Sequence, residues 1–100
     1  MFDDMISTAG SICGAADLVK KKGAKEIHVA ASHGVFAGPA FERLGQAPID
    51  SIVVTDSIPI DDSKLPNMKV LTVAPMLAEA IKRIHQHMSI SAIFSSSTDQ

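Results

Sequence analysis

Apolar residues along the chain fall into two kinds of block, one spaced at three and four residues and one nearly continuous, and the two kinds alternate. From Ser11 to Lys22 the positions Ile12, Ala15, Ala16 and Val19 follow i, i+3, i+4, i+7, which predicts a helix. Lys20, Lys21 and Lys22 fill its last turn, a solvated end where cations complement the carbonyl dipoles, and Gly23 fits the position just past it. Glu26–Ala31 alternates and reads as a strand. Ser32–Gly38 is a glycine-punctuated connection; Pro39 then suits the first position of a short helix through Leu44, closed by Gly45. Ser51–Thr55 is β-branched and nearly continuous, as in a strand buried on both faces. Asp56–Asn67 is rich in turn residues, and Lys69–Val73 reads as another buried strand. Pro75 opens a stronger helix with Leu77, Ala80, Ile81, Ile84 and Met88 on one stripe and Arg83, His85 and His87 near its end. Ile90–Phe94 adds a last short strand. The expected fold class is α/β, a mostly parallel sheet with helices on both faces, and ligands of such sheets gather outside the carboxyl ends of the strands.

The 100 residues suit one domain, read here as residues 1–94 followed by a polar tail, 95–100. Apolar residues at 46% and charged ones at 20% fit a folded chain rather than a disordered one. A net charge of −2 lacks the basic footprint of a nucleic-acid binder. No stretch approaches the roughly 20 apolar residues of a membrane span. Met1-Phe2-Asp3-Asp4 lacks the basic start of a secretory signal, so the expectation is a soluble, cytoplasmic protein. Cys13 is the single cysteine, which excludes an internal disulfide and a cysteine-based zinc site. With four Phe and no Trp or Tyr, a base-stacking platform is excluded as well.

Candidate chemistry begins at Phe2–Ser11, placed before the first helix. Ser7, Thr8 and Ser11 carry hydroxyls, and successive backbone N–H groups around Gly10 suit an anion at the helix N-terminus. Asp3 and Asp4 lie one turn upstream and suit sugar hydroxyls or a hydrated divalent cation. The combination reads as a phosphosugar site, with a plain Ser/Thr helix cap beside two solvated aspartates as the alternative.

Asp3-Asp4-Met5-Ile6-Ser7-Thr8-Ala9-Gly10-Ser11 resembles the phosphoribosyl pyrophosphate signature of type I phosphoribosyltransferase folds. Ala15-Ala16-Asp17, Gly23–Glu26, Ser32–Ala40, Val53–Pro59, Leu77–His85 and Ser89–Phe94 are similar to blocks of ribose-phosphate diphosphokinases, in the same order. The resemblance implies that Asp3 and Asp4 hold the ribose 2- and 3-hydroxyls, and that Ser7, Thr8, Ala9, Gly10 and Ser11 cradle the 5-phosphate of ribose 5-phosphate. Ser7 stands where Asp is usual and Ser11 where Thr is usual; the first loses a carboxylate beside a phosphate and the second keeps its hydroxyl. The reaction implied is transfer of diphosphate from ATP to ribose 5-phosphate with Mg²⁺, by a homo-oligomer.

The resemblance further implies that Ser89, Ser91 and Phe94 contribute to an allosteric phosphate or ADP site between subunits. Family members carry two similar domains, and this sequence matches the end of the second. The ATP-binding and catalytic loops have no counterpart in it, and the strand leading into Asp3 is reduced to Met1 and Phe2. The expectation is therefore a C-terminal fragment without catalytic residues or activity of its own. A non-catalytic regulatory relative, assembling with full-length subunits, is the alternative.

Other candidates read more plainly. His85 and His87, two apart on a helix, point to nearly opposite faces and cannot share a metal. His33 follows a strand, either bonded to backbone or facing a ligand in a supporting role. Asp61-Asp62-Ser63-Lys64 suits a solvated turn. Cys13, at a helix start, could have a lowered pKa but fits better as a small core residue.

Overall fold

The structure is a computed structural model, and it describes residues 1–93. Four strands, β1 (Phe2–Ile6), β2 (His28–Gly34), β3 (Ser51–Thr55) and β4 (Met68–Leu71), form one parallel sheet in chain order. α1 (Gly10–Lys21) joins β1 to β2 and α2 (Ala40–Gln46) joins β2 to β3. A 3₁₀ turn, Asp62–Lys64, capped by the Asp61 carboxylate, precedes β4, and α3 (Ala74–His85) follows it. The α/β class and the parallel sheet stand as expected.

The arrangement of helices differs from the expectation. Right-handed crossovers between strands in chain order place both connecting helices on the same side of the sheet. Ile12 and Ala16 of α1 and Ala40 and Leu44 of α2 accordingly share one core with Val29, Ala31, Ile52 and Val54. The other face, carrying the register partners Phe2, Ala30, Val53 and Lys69, is open. Val53 is half-buried and Phe2 is 92% exposed. β3 is therefore buried on one face only, and β4, at the edge, alternates between half-buried and exposed. Continuous β-branched runs suit either situation, because the residues that would cover the second face leave no mark in the strand itself.

α3 starts where Pro75 places it and has the expected apolar stripe, yet none of its residues is buried. Leu77, Ile81, Ile84 and Met88 are all more than half exposed. Only its first turn approaches the sheet, where Met76 and Leu77 share a cavity of about 410 Å³ with Ser32, His33, Thr55 and Ser57.

Local differences have local causes. β1 is a full five-residue strand that contains Asp3 and Asp4, rather than a remnant before them. Its position at the sheet edge leaves both carboxylates in solvent, which removes the cost that aspartate has in a buried strand. β2 runs on through Gly34, with an irregularity in its pairing between Ala31 and His33, and absorbs half of the expected connection. Pro39 caps α2 from outside, and Gly45 lies within the helix. Pro48 ends it by forcing Ala47 into an extended conformation. At the end of α1, Gly23 has φ 102° and its N–H donates to the Lys20 carbonyl while that of Ala24 donates to Val19, the expected glycine cap. The end of α3 repeats the motif with His87 in the glycine position at φ 57°, so His87 lies beyond the helix rather than on it. Residues 91–93 are helical, with the Ile93 N–H donating to the Ile90 carbonyl, and not the strand expected over Ile90–Phe94. Phe94 and the tail 95–100 lie outside the described residues.

Candidate functional site

The loop from Ser7 to Ala9 carries the chain from the carboxyl end of β1 into α1. Ala9 takes the left-handed conformation, φ 67° and ψ 9°, a strain of about 1–2 kcal/mol for a residue with a Cβ. Three anchors hold the turn: the Val35 and Phe36 N–H groups donate to the Ile6 carbonyl, and the Ala37 N–H donates to that of Ser7 at 2.8 Å. No side chain caps α1 and no acidic residue sits in its first turn, so a Ser/Thr cap does not form. The first amides of α1 thus keep their donors and the positive end of the helix dipole for an incoming anion.

A cavity of about 140 Å³ opens at this point, lined by Asp3 together with Ser7, Thr8, Ala9, Gly10 and Ser11. At about 30 Å³ per water, it has room for a group of four or five heavy atoms. The structure therefore brings six of the seven expected ribose 5-phosphate residues around one space; Asp4 is not among the residues that line it. The carboxyl of Asp4 and then its N–H, which donates to Asp3 Oδ1 at 2.8 Å, hold the Asp3 carboxyl below the usual carboxylate range. An ionised Asp3 at the rim repels an anion but accepts from sugar hydroxyls or a hydrated cation. One end of the cavity suits phosphate and the other suits a polyol.

Elsewhere the candidates separate. His33 Nδ1 lies 2.8 Å from Ser57 Oγ, and Thr55 Oγ1 donates to the Ser32 carbonyl at 2.6 Å, so His33 is bonded to a side chain rather than to backbone. Ser89 and Ser91 hydroxyls meet at 2.7 Å, and Arg83 Nη1 donates to the Ser89 carbonyl at 3.1 Å, which ties this pair to the end of α3. Burial pushes the Cys13 thiol up, as does Asp17, against a smaller downward pull from Arg43; a reactive thiolate is not favoured there. Among the described residues no three metal-ligating side chains come together, and no helix is long and apolar enough to cross a membrane.

Arg43 is the residue the sequence reading passed over. It reaches from α2 to the loop, donating Nη1 to the Thr8 carbonyl at 3.2 Å across 35 positions of chain. Nothing local in Phe41-Glu42-Arg43-Leu44 signals that distant partner.

A four-stranded parallel sheet whose first strand runs into an uncapped helix defines a parallel α/β domain. Within that class the chain belongs to the phosphoribosyl synthetase-associated domain family, whose profile matches residues 1–95. A ribose-phosphate pyrophosphokinase of Rhodopirellula baltica is 70% identical over 95 residues, an alignment covering 94% of this chain and 30% of that protein. One from Clostridium acetobutylicum is 50% identical over the same share of each chain. The crystal structure of phosphoribosylpyrophosphate synthetase from Mycobacterium smegmatis superposes with a TM-score of 0.83 at 40% identity, covering 86% of this chain and 29% of that one. The chain thus spans about 30% of the length of the curated relatives it matches.

Proposed function

We propose that this chain carries the ribose 5-phosphate site of a ribose-phosphate diphosphokinase, acting in the cytoplasm as part of a homo-oligomer. The observation that carries the proposal is the single cavity uniting Asp3 with Ser7–Ser11 at the uncapped start of α1. The backbone N–H groups and hydroxyls of the loop hold the 5-phosphate, and Asp3 accepts from a ribose hydroxyl, with Asp4 at the adjoining edge. In the whole enzyme the C1 hydroxyl then attacks the β-phosphorus of ATP, forming phosphoribosyl pyrophosphate and releasing AMP. Such chemistry rests on positioning and on neutralising phosphate charge. The contribution of this chain is to fix the acceptor sugar.

Mg²⁺ fits as a partner of the phosphates. It keeps several waters and needs only one or two carboxylates, and ionised Asp3 at the rim meets that demand. When bound it neutralises charge on the transferred diphosphate. Ser89, Ser91 and Phe94 are proposed as part of a phosphate or ADP regulatory site, the Ser89 and Ser91 hydroxyls lying together at 2.7 Å.

Titration of the ¹⁵N-labelled chain with ribose 5-phosphate tests the reading. The amides of Thr8–Ser11 should shift first, inorganic phosphate should move the same amides more weakly, and ribose alone should move them least. Shifts confined to His85 and His87 refute it. The isolated chain is expected to form no phosphoribosyl pyrophosphate from ATP, Mg²⁺ and ribose 5-phosphate.

A further inference from the structure

A second cavity, of about 500 Å³, lies between α1 and α2 and is lined by Cys13, Gly14, Asp17, Arg43 and Gln46. Gly10 borders both this cavity and the smaller one that opens on the loop. From this geometry we infer that Arg43 is a positioning residue for the phosphate loop, acting from behind through the Thr8 carbonyl. Gly10 is the residue that lets it in. The inference takes from the proposed function only that the loop receives a phosphate.

Three observations converge. The Arg43 bond to the Thr8 carbonyl is the one side-chain hydrogen bond to residues 7–11 among the described residues. A Cβ at Gly10 would stand 3.1 Å from the same Nη1 atom, close enough that the guanidinium must give by a few tenths of an ångström. Gly10 is not among the glycines with positive φ, which are Gly23 and Gly38, so its missing side chain serves that approach and not the backbone angle. The strained residue of the turn is its neighbour Ala9, directly after the carbonyl that Arg43 holds.

The clamp does two things for an anion. It fixes the Thr8–Ala9 peptide, and with it the direction of the following N–H groups. It also sets a cation behind the loop, in a cavity that Asp3 does not line. Asp17 lines the same cavity and would draw a guanidinium that lost its place beside Thr8.

Amide hydrogen exchange in the ligand-free chain tests this, read at Cys13, whose N–H donates to the Ala9 carbonyl, with Ala24 at the far end of α1 as control. Arg43→Met should speed exchange at Cys13 about tenfold and leave Ala24 unchanged, and Arg43→Lys, which keeps a charged donor, should recover most of the loss. By helix propensity alone Gly→Ala is stabilising. Gly10→Ala should nevertheless speed Cys13 exchange in the wild-type background and slow it in the Arg43→Met background. That change of sign is particular to a contact between the two residues. Equal Cys13 exchange in wild type and Arg43→Met overturns the inference, and so does a Gly10→Ala effect of the same sign in both backgrounds. In a parallel titration, Arg43→Met should weaken ribose 5-phosphate binding about tenfold. Failure of the wild-type chain to bind ribose 5-phosphate counts against the proposed function, and exchange at Cys13 still decides the role of Arg43.

Discussion

Asp56, one residue past the end of β3, accepts a hydrogen bond from the backbone N–H of Val73 at 2.8 Å, immediately before α3 begins. Since α3 buries none of its residues, this bond is a principal tether of the helix to the sheet. The Val73 N–H, followed by the Thr72 hydroxyl, holds the Asp56 carboxyl below the usual range. A carboxyl with a depressed folded pKa contributes stability that is complete above its unfolded value, about 3.9, and is lost as pH falls through the folded value. The amides of Val73 and the first turn of α3 should therefore lose exchange protection on acidification below about pH 4, the ordinary carboxylate pKa, before those of β2 and β3 do. Asp56→Asn should show the same pattern at neutral pH. Uniform loss across the sheet would contradict it.

His87 occupies the left-handed position that closes α3, where a residue with a Cβ is strained by about 1–2 kcal/mol. His87→Gly should slow exchange of the Met88 amide, which donates to the Arg83 carbonyl, by about fivefold for each kcal/mol relieved. An unchanged or faster rate would show that the histidine side chain contributes something at this turn.

Gly34 tolerates no side chain for a reason that its neighbours in sequence conceal. A Cβ there would meet the Phe36 ring at 2.5 Å, and that ring is buried and packed on Phe41 with centroids 4.9 Å apart. Gly34→Ala should lower stability by about 1–3 kcal/mol, the usual range for overpacking, as read from urea melts.

Leu44 and Ile81 carry similar side chains to opposite fates. Leu44→Ala should cost about 2–5 kcal/mol, because Leu44 is fully buried between α2 and the sheet. Ile81→Ala should stay within about 0.5 kcal/mol in this chain, since Ile81 is 67% exposed. A large cost at Ile81 would place α3 against an apolar partner surface.

The open sheet face around Phe2, Val53 and Leu71 and the stripe of α3 each expose large apolar side chains, surfaces of the kind that other chains cover. At about 0.1 mM, far above the micromolar range of a moderate interface, the chain should sediment as more than a monomer. Monomer alone at that concentration would be the contrary result.

How far the sequence led depended on how local each cause was. Gly23 and the lysines before it marked the end of α1, and Pro75 the start of α3, because caps are decided within a few residues. Asp3 and Ser7–Ser11 could be grouped because one strand end and one helix start bring neighbours in sequence together. Gly45 misled because Pro48, three positions on, sets the true boundary of α2. The one-sided burial of β3 and the role of Arg43 depend on what lies across the fold, and no window of sequence contains that.

The sheet is in chain order, so β1, which lines the smaller cavity through Asp3, Met5 and Ile6, is also the outermost strand. β1 is laddered to β2 on one side; along its other side no strand pairs with it among the described residues, and the Asp4 N–H there donates to Asp3 Oδ1. The stiffness of the cavity is therefore set asymmetrically, by a single ladder and by the anchors from Val35, Phe36 and Ala37. Any strand that docks along the free edge would act on Asp3 through the backbone alone, and would reshape the rim of the cavity without entering it.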